Sequence, residues 1–168
     1  MSAVRASAGL YLDHITKGRF ILGVGAGEAL NLTPLGIENR RATSRLAESL
    51  EVMRLLLGTS DEVDYEGEHI TLRGAAVGLR PYGDAPPPVW VAAHGPRGLE
   101  LTGRFGDGWL PFCTDPAEYR RMWAAVRTAA TAAGRPDAVT PGLYARVVLA
   151  ADDDAARTAV AASVLMRF

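Results

Sequence analysis

The chain has 168 residues, 48% of them apolar and 22% charged, a composition that is globular and neither disordered nor fibrous. Eighteen Lys and Arg against 19 Asp and Glu leave a formal charge of -1, so there is no basic field to hold nucleic acid or an anionic lipid surface. This length suits one ordinary domain and falls short of the roughly 250 residues of a complete eight-stranded α/β barrel, so either the fold is small or the chain is a piece. Cys113 is the sole cysteine, which excludes an internal disulfide framework and suits a reducing cytoplasm. Arg5, Asp13, His14 and Lys17 interrupt the first twenty residues, so no signal segment or membrane span is expected there.

Residues Ala6 to Leu12 read as the tail of a helix stopped at Lys17-Gly18-Arg19. The apolar run Phe20 to Val24 reads as a parallel strand covered on both faces, ending in Gly25-Ala26-Gly27-Glu28. Asn31 to Gly36 contains Pro34 and reads as a loop. From Thr43 to Leu57, Leu46, Leu50, Met53 and Leu57 recur at helical spacing, and Gly58 closes the segment. A hairpin over about 62–72 turns at Glu66-Gly67, followed by an extended proline-rich stretch from Leu79 to Pro88.

Val89 to Ala93 reads as a second buried strand, and a helix opens at Pro96 and ends at Gly106. Gly108 to Phe112 is a third predicted strand, Pro116 to Ala133 a helix ended by Gly134, and Leu143 to Ala150 a fourth strand. A last helix begins at Asp152. Four strand-then-helix units in succession imply an α/β fold with a parallel sheet and right-handed crossovers.

Gly23, Gly25 and Gly27 stand at and just beyond the carboxyl end of the first strand, where α/β proteins place ligands. A dinucleotide fingerprint fails, because Glu28 stands where its last glycine belongs and a proline-containing loop follows. A phosphate loop fails too, for lack of Gly-Lys-Ser/Thr. Two readings stay open. Small residues admit a flat cofactor against the strand end, with Glu28 and Asn31 offering an acid/base group and an amide, or they allow tight helix-on-strand packing. The three histidines share no short helical spacing, so no metal is expected. His14 and Asp13 read as loop braces, His69 as solvated, His94 as a candidate pocket residue, and Cys113 as a small buried hydrophobe. Trp109 and Phe112 read as barrel or pocket wall, Asp107 as a brace of its turn, and Asp152 to Asp154 as a helix cap.

Leu12-Asp13-His14, Gly18-Arg19-Phe20, Gly23 to Asn31, Val89 to Gly95 and Gly106-Asp107-Gly108-Trp109 together resemble the bacterial-luciferase-like superfamily. Gly27-Glu28-Ala29-Leu30-Asn31 is similar to its branch that depends on the deazaflavin coenzyme F420. The resemblance implies one luciferase-like domain over 1–168, a partial (β/α)8 barrel holding the fourth to seventh strands, with the hairpin as an insertion. The Asp-His pair that this branch carries on an early strand has no counterpart here, and His14 is not that histidine.

Residue by residue, the resemblance implies that Ala26, Gly27 and Asn31 contact the deazaflavin and that Glu28 is the catalytic acid/base. It implies further that His94 and Gly95 approach the cofactor through their backbone, with Arg97 at a helix N-terminus suited to its phosphate. Where sugar-phosphate members place a Thr and a Lys, this chain has Phe112 and Asp115, which points to a neutral or apolar carbonyl substrate. The implied chemistry is hydride exchange between F420 and a carbonyl or alcohol carbon. A carboxylate in Glu28's place donates a proton only if burial raises its pKa, which loops over a barrel mouth would supply. The rival readings are an FMN-dependent luciferase-like monooxygenase, and a non-catalytic remnant or interaction module whose open sheet edge pairs with another chain, for instance as a homodimer.

Overall fold

A computed structural model describes residues 2–112, 115–145 and 147–162. Its centre is a four-stranded parallel sheet in the order β1 (Leu22–Gly25), β4 (Val89–Ala92), β5 (Gly108–Trp109), β6 (Thr140–Pro141). The ladder places Leu22 beside Val89 and Gly25 beside Ala92, then Val91 beside Trp109 and Gly108 beside Thr140. The helices are α1 (Ser2–Thr16), a one-turn α2 (Ala29–Leu32), α3 (Ala42–Gly58), α4 (Pro96–Phe105), α5 (Pro116–Ala132) and α6 (Asp153–Ala162). A separate antiparallel hairpin pairs β2 (Val63–Glu66) with β3 (Thr71–Ala75).

Strand periodicity decides which face of the sheet is dry. Leu22, Val89, Val91 and Trp109 are buried against the helices. Leu10 of α1, Leu50 and Met53 of α3, Leu99 of α4 and Val126 of α5 complete that core. The alternate positions Ile21, Gly23, Gly25 and Ala92 are exposed, so the first strand is not covered on both faces among the described residues. Its apolar run reflects one packed face and a second face of small residues.

Local chemistry sets the ends of the elements. Lys17 and Gly18 both take left-handed backbone, and Gly18 N–H returns to Asp13 C=O at 2.9 Å to stop α1. Pro96 and Pro116 each sit in the first turn of a helix, where no N–H is missed. Gly103 is where α4 and α5 touch: a Cβ there would lie 2.6 Å from Val126 O, Ala129 Cβ and Ala130 N. Asn31 to Gly36 is not an open loop but α2 running into a 3-10 turn over Thr33–Leu35, because Pro34 falls at a first-turn position.

The third strand is shorter than its apolar run, since Pro111 has no N–H to continue the ladder. The fourth does not run from Leu143 to Ala150. Pairing occurs at Thr140–Pro141 and again at a single bridge between Phe112 and Tyr144, while Val147 and Leu149 are exposed. A two-residue β5 offers no ladder for a longer partner. The reading of Cys113 falls outside the described residues.

At the amino ends of the strands, Asp107 joins four segments. Its Oδ2 accepts from Val89 N–H at 2.9 Å and from Arg54 of α3 at 2.8 Å, and its Oδ1 accepts from Arg135 at 3.1 Å. Its backbone N–H donates to Val89 C=O at 2.7 Å, and its C=O accepts from Thr140 N–H at 2.8 Å. Arg54 also donates to Phe105 C=O and Arg135 to Arg104 C=O, so both guanidinium groups close the exit of α4.

The hairpin docks on α3 through one carboxylate. Glu48 accepts from the N–H groups of Glu68, His69 and Ile70 at 2.8, 2.9 and 2.9 Å. His69 is therefore not solvated: its side chain is 12% exposed and its Nε2 lies 2.8 Å from Ser44 Oγ. Tyr65 donates to Glu51 at 2.6 Å, and burial, followed by that bond, pushes the phenol's pKa upward. Asp13 and His14 brace the loop before β4, with Asp13 Oδ2 accepting from Tyr82 N–H at 3.0 Å and His14 Nε2 lying 2.9 Å from Arg80 O.

Replacing Asp107 by Ala is expected to lower the urea-unfolding free energy by about 2–3 kcal/mol, below the full value for a buried pair because the site is partly exposed. Asp115, the N-cap of α5, gives a pH-dependent counterpart. It accepts from Glu118 and Ala117 N–H groups, and these bonds hold its carboxyl below the ordinary value of 3.8. A pKa lowered on folding stabilises the fold above the unfolded-state value and loses that effect as pH falls through the folded-state value. The stability gap between the protein and Asp115→Ala, measured by urea midpoint, is therefore largest at neutral pH and closes as the pH is taken below 3.8.

Candidate functional site

The carboxyl ends of β1 and β4 open into a cleft of roughly 740 Å³, within the range of small-molecule sites. Its lining brings together Ala26, Gly27, Glu28, Asn31, His94, Gly95 and Arg97, the catalytic and cofactor-binding candidates of the sequence. Thr43 and Leu46 of α3 close one side, and Leu110, Phe112 and Tyr144 close the other. A second depression of roughly 490 Å³ shares Gly25 to Gly27 and extends to Arg5, Arg45 and His69.

Each wall follows from local backbone chemistry. Gly27 takes φ +81°, a left-handed conformation that L side chains rarely adopt, and a Cβ there would stand 2.8 Å from Leu32. This turn sends the chain from β1 into α2, which brings Asn31 Nδ2 to 3.3 Å from Glu28 Oε2. Asn39 Nδ2 donates to Gly27 C=O at 2.9 Å and fixes the turn from behind. Across the cleft, Gly95 is the N-cap of α4 and has no side chain to satisfy the first-turn N–H groups. That helix end, with exposed Arg97, is an electropositive spot suited to an anionic group.

Glu28 is exposed, so these residues alone do not supply the burial that a proton-donating carboxylate needs. Asp115 is not in the cleft lining, because its carboxylate caps α5. The charge argument against a phosphorylated substrate thus falls away, and what disfavours one is the apolar ring of Phe112. Phe112 does line the cleft, stacked on Tyr144 with ring centroids 5.6 Å apart. Trp109 is fully buried among Tyr119 and Trp123 and donates to Ala93 C=O at 2.9 Å, so it belongs to the core. The sequence reading missed Tyr144, Leu110 and Thr43. Tyr144 is an aromatic just past a strand end, a signal that the apolar run from Leu143 onward hides by resembling a strand itself. No group of His, Cys, Asp and Glu that would hold a metal occurs among the described residues.

A family model for luciferase-like monooxygenases matches residues 2–167. The chain belongs to that family. It is 41% identical over 155 residues to a phthiodiolone/phenolphthiodiolone dimycocerosates ketoreductase from Mycobacterium kansasii, covering 90% of this chain and 42% of that protein. To an F420-dependent glucose-6-phosphate dehydrogenase from Kineococcus radiotolerans it is 41% identical over 114 residues, 67% of this chain and 33% of that one. Among solved structures it superposes on a coenzyme F420-dependent tetrahydromethanopterin reductase from Methanopyrus kandleri with TM-score 0.80 and 25% identity, covering 92% of this chain and 49% of the other. An F420-dependent secondary alcohol dehydrogenase gives TM-score 0.77 at 26% identity, over 84% of this chain and 44% of that chain. The chain spans under half the length of these relatives, and its sheet and helices are those of a luciferase-like (β/α)8 barrel over about half its extent.

Replacing Gly27 by Ala is expected to lower stability by about 1–2 kcal/mol through the left-handed backbone alone, read as a fall in the urea midpoint.

Proposed function

We propose that the chain carries the F420-binding and proton-handling part of an oxidoreductase that interconverts a neutral or apolar carbonyl compound and its alcohol. The observation that supports this most is the convergence of Glu28, Asn31, the Gly25 to Gly27 backbone and the N-terminus of α4 on one cleft. Relatives named as F420-dependent enzymes, and a ketoreductase, support it independently.

The residues present fit a flat, anionic-tailed cofactor. A Cβ placed on Gly95 would meet nothing within 4 Å, so the backbone on the α4 side of the cleft is open to close approach. Ala26, Gly27 and Asn31 would flank the ring. Gly95, Arg97 and the first turn of α4 would hold a phosphate by N–H groups and charge. When bound, F420 supplies or accepts a hydride at its C5. Glu28, oriented by Asn31, would move the accompanying proton at the substrate oxygen. Bound cofactor and substrate would themselves exclude water from this exposed carboxylate. Phe112 in the cleft disfavours a phosphorylated sugar and favours a substrate whose carbonyl is flanked by apolar groups.

Titrating F420 with the chain while following its fluorescence tests the reading. Saturable binding is expected, weakened about tenfold in Arg97→Ala, which corresponds to about 1.4 kcal/mol. Glu28→Gln is expected to bind F420 as well as the parent and to slow F420-linked ketone reduction by a factor of about 100 or more. Preference for reduced FMN over F420 would instead place the chain with the oxygenases for which its family is named.

A further inference from the structure

We propose that Phe112 and Tyr144, latched by the side chain of His94, form the wall that selects the substrate, taking a flat apolar group attached to the carbonyl carbon. This rests on the oxidoreductase reading of the same cleft, deepens its use of Phe112, and adds Tyr144 and the side chain of His94. Beyond Trp109 the ladder has run out, yet the backbone at Phe112 is held in a defined place. His94 Nε2 lies 2.9 Å from Phe112 N–H and 3.0 Å from Phe112 C=O. One ring nitrogen serves one of these at a time: unprotonated it accepts from the N–H, protonated it donates to the carbonyl. Either bond ties the carboxyl end of β4 to the segment after β5.

The next tie is to Tyr144, whose N–H donates to Pro111 C=O at 2.9 Å and whose residue bridges Phe112. The two rings stack with an interplanar angle of 30°, and they remain 39% and 49% exposed on the cleft. A stacked aromatic pair held at this exposure by backbone bonds on both sides presents a rigid apolar surface. A flat group gains dispersion and apolar burial there, whereas a phosphate gains nothing from the ring faces to offset the water it would lose against them.

The test is binding to the full chain, followed by NMR and by competition, with acetophenone as the flat apolar ketone and glucose 6-phosphate as the contrast. Acetophenone is expected to shift the Phe112 and Tyr144 ring signals and to bind about tenfold more weakly to Phe112→Ala and to Tyr144→Ala. His94→Ala is expected to weaken it to a similar degree, with no further loss in the double variant with Phe112→Ala. His94→Gln, whose amide carries both a donor and an acceptor, restores binding. Unchanged affinity in His94→Ala, additive losses, no rescue by Gln, no acetophenone binding, or equal binding of glucose 6-phosphate at these rings would each overturn the proposal. F420 affinity measured on the same samples separates the two ideas: ketone binding with this pattern but without F420 binding removes the oxidoreductase reading and leaves the wall.

Discussion

One partly exposed carboxylate holds the amino ends of the sheet together. Asp107 receives a strand N–H from β4 and a guanidinium from each of two other segments, while its own peptide groups pair with Val89 and Thr140. Parallel strands as short as β5 and β6 make few ladder bonds of their own. The side-chain network substitutes for that missing pairing. It fixes three strand starts against α3 and the exit of α4, and so determines where the opposite ends of the same strands emerge.

Those opposite ends carry the cleft. Because register is set at Val89 and Gly108, Gly25 and Ala92 finish level with one another, and the turns after them face across a single opening. The Asp107 network therefore lies at the amino ends and the cleft-lining residues at the carboxyl ends, the division expected of parallel α/β sheets. The Gly-Asp-Gly-Trp segment serves the fold: Asp107 ties strands, and Trp109 fills the core beneath α5.

Much of this was legible in the sequence where the signal was local. The periodic leucines of α3, the prolines opening α4 and α5, and the glycines after β1 each act within a few residues. Glu28, Asn31 and His94 stand out by their places just beyond strand ends, whereas Arg97 is indicated by the family resemblance alone. Misreadings arose where the deciding partner is distant. The apolar residues from Leu143 onward look like a strand, but strand formation depends on a neighbour long enough to pair, and β5 is two residues. His69 looked solvated because nothing near it in sequence announces Ser44 or Glu48. Asp115 was read as a charge facing substrate, although Pro116 beside it marks an N-cap, whose side chain turns toward its own helix.

The docked hairpin has a different kind of consequence. Three successive N–H groups at its tip end on Glu48, so α3 dictates the shape of that turn, and the turn sequence has to supply Gly67, where a Cβ would collide with the Glu48 carboxylate. Exposed side chains of β2 and β3 are thereby released from any duty to define the bend. The hairpin is a natural place for drift or for grafted residues, since its exposed positions can be rewritten while Glu48 and the Tyr65–Glu51 bond keep the anchorage on α3 unchanged.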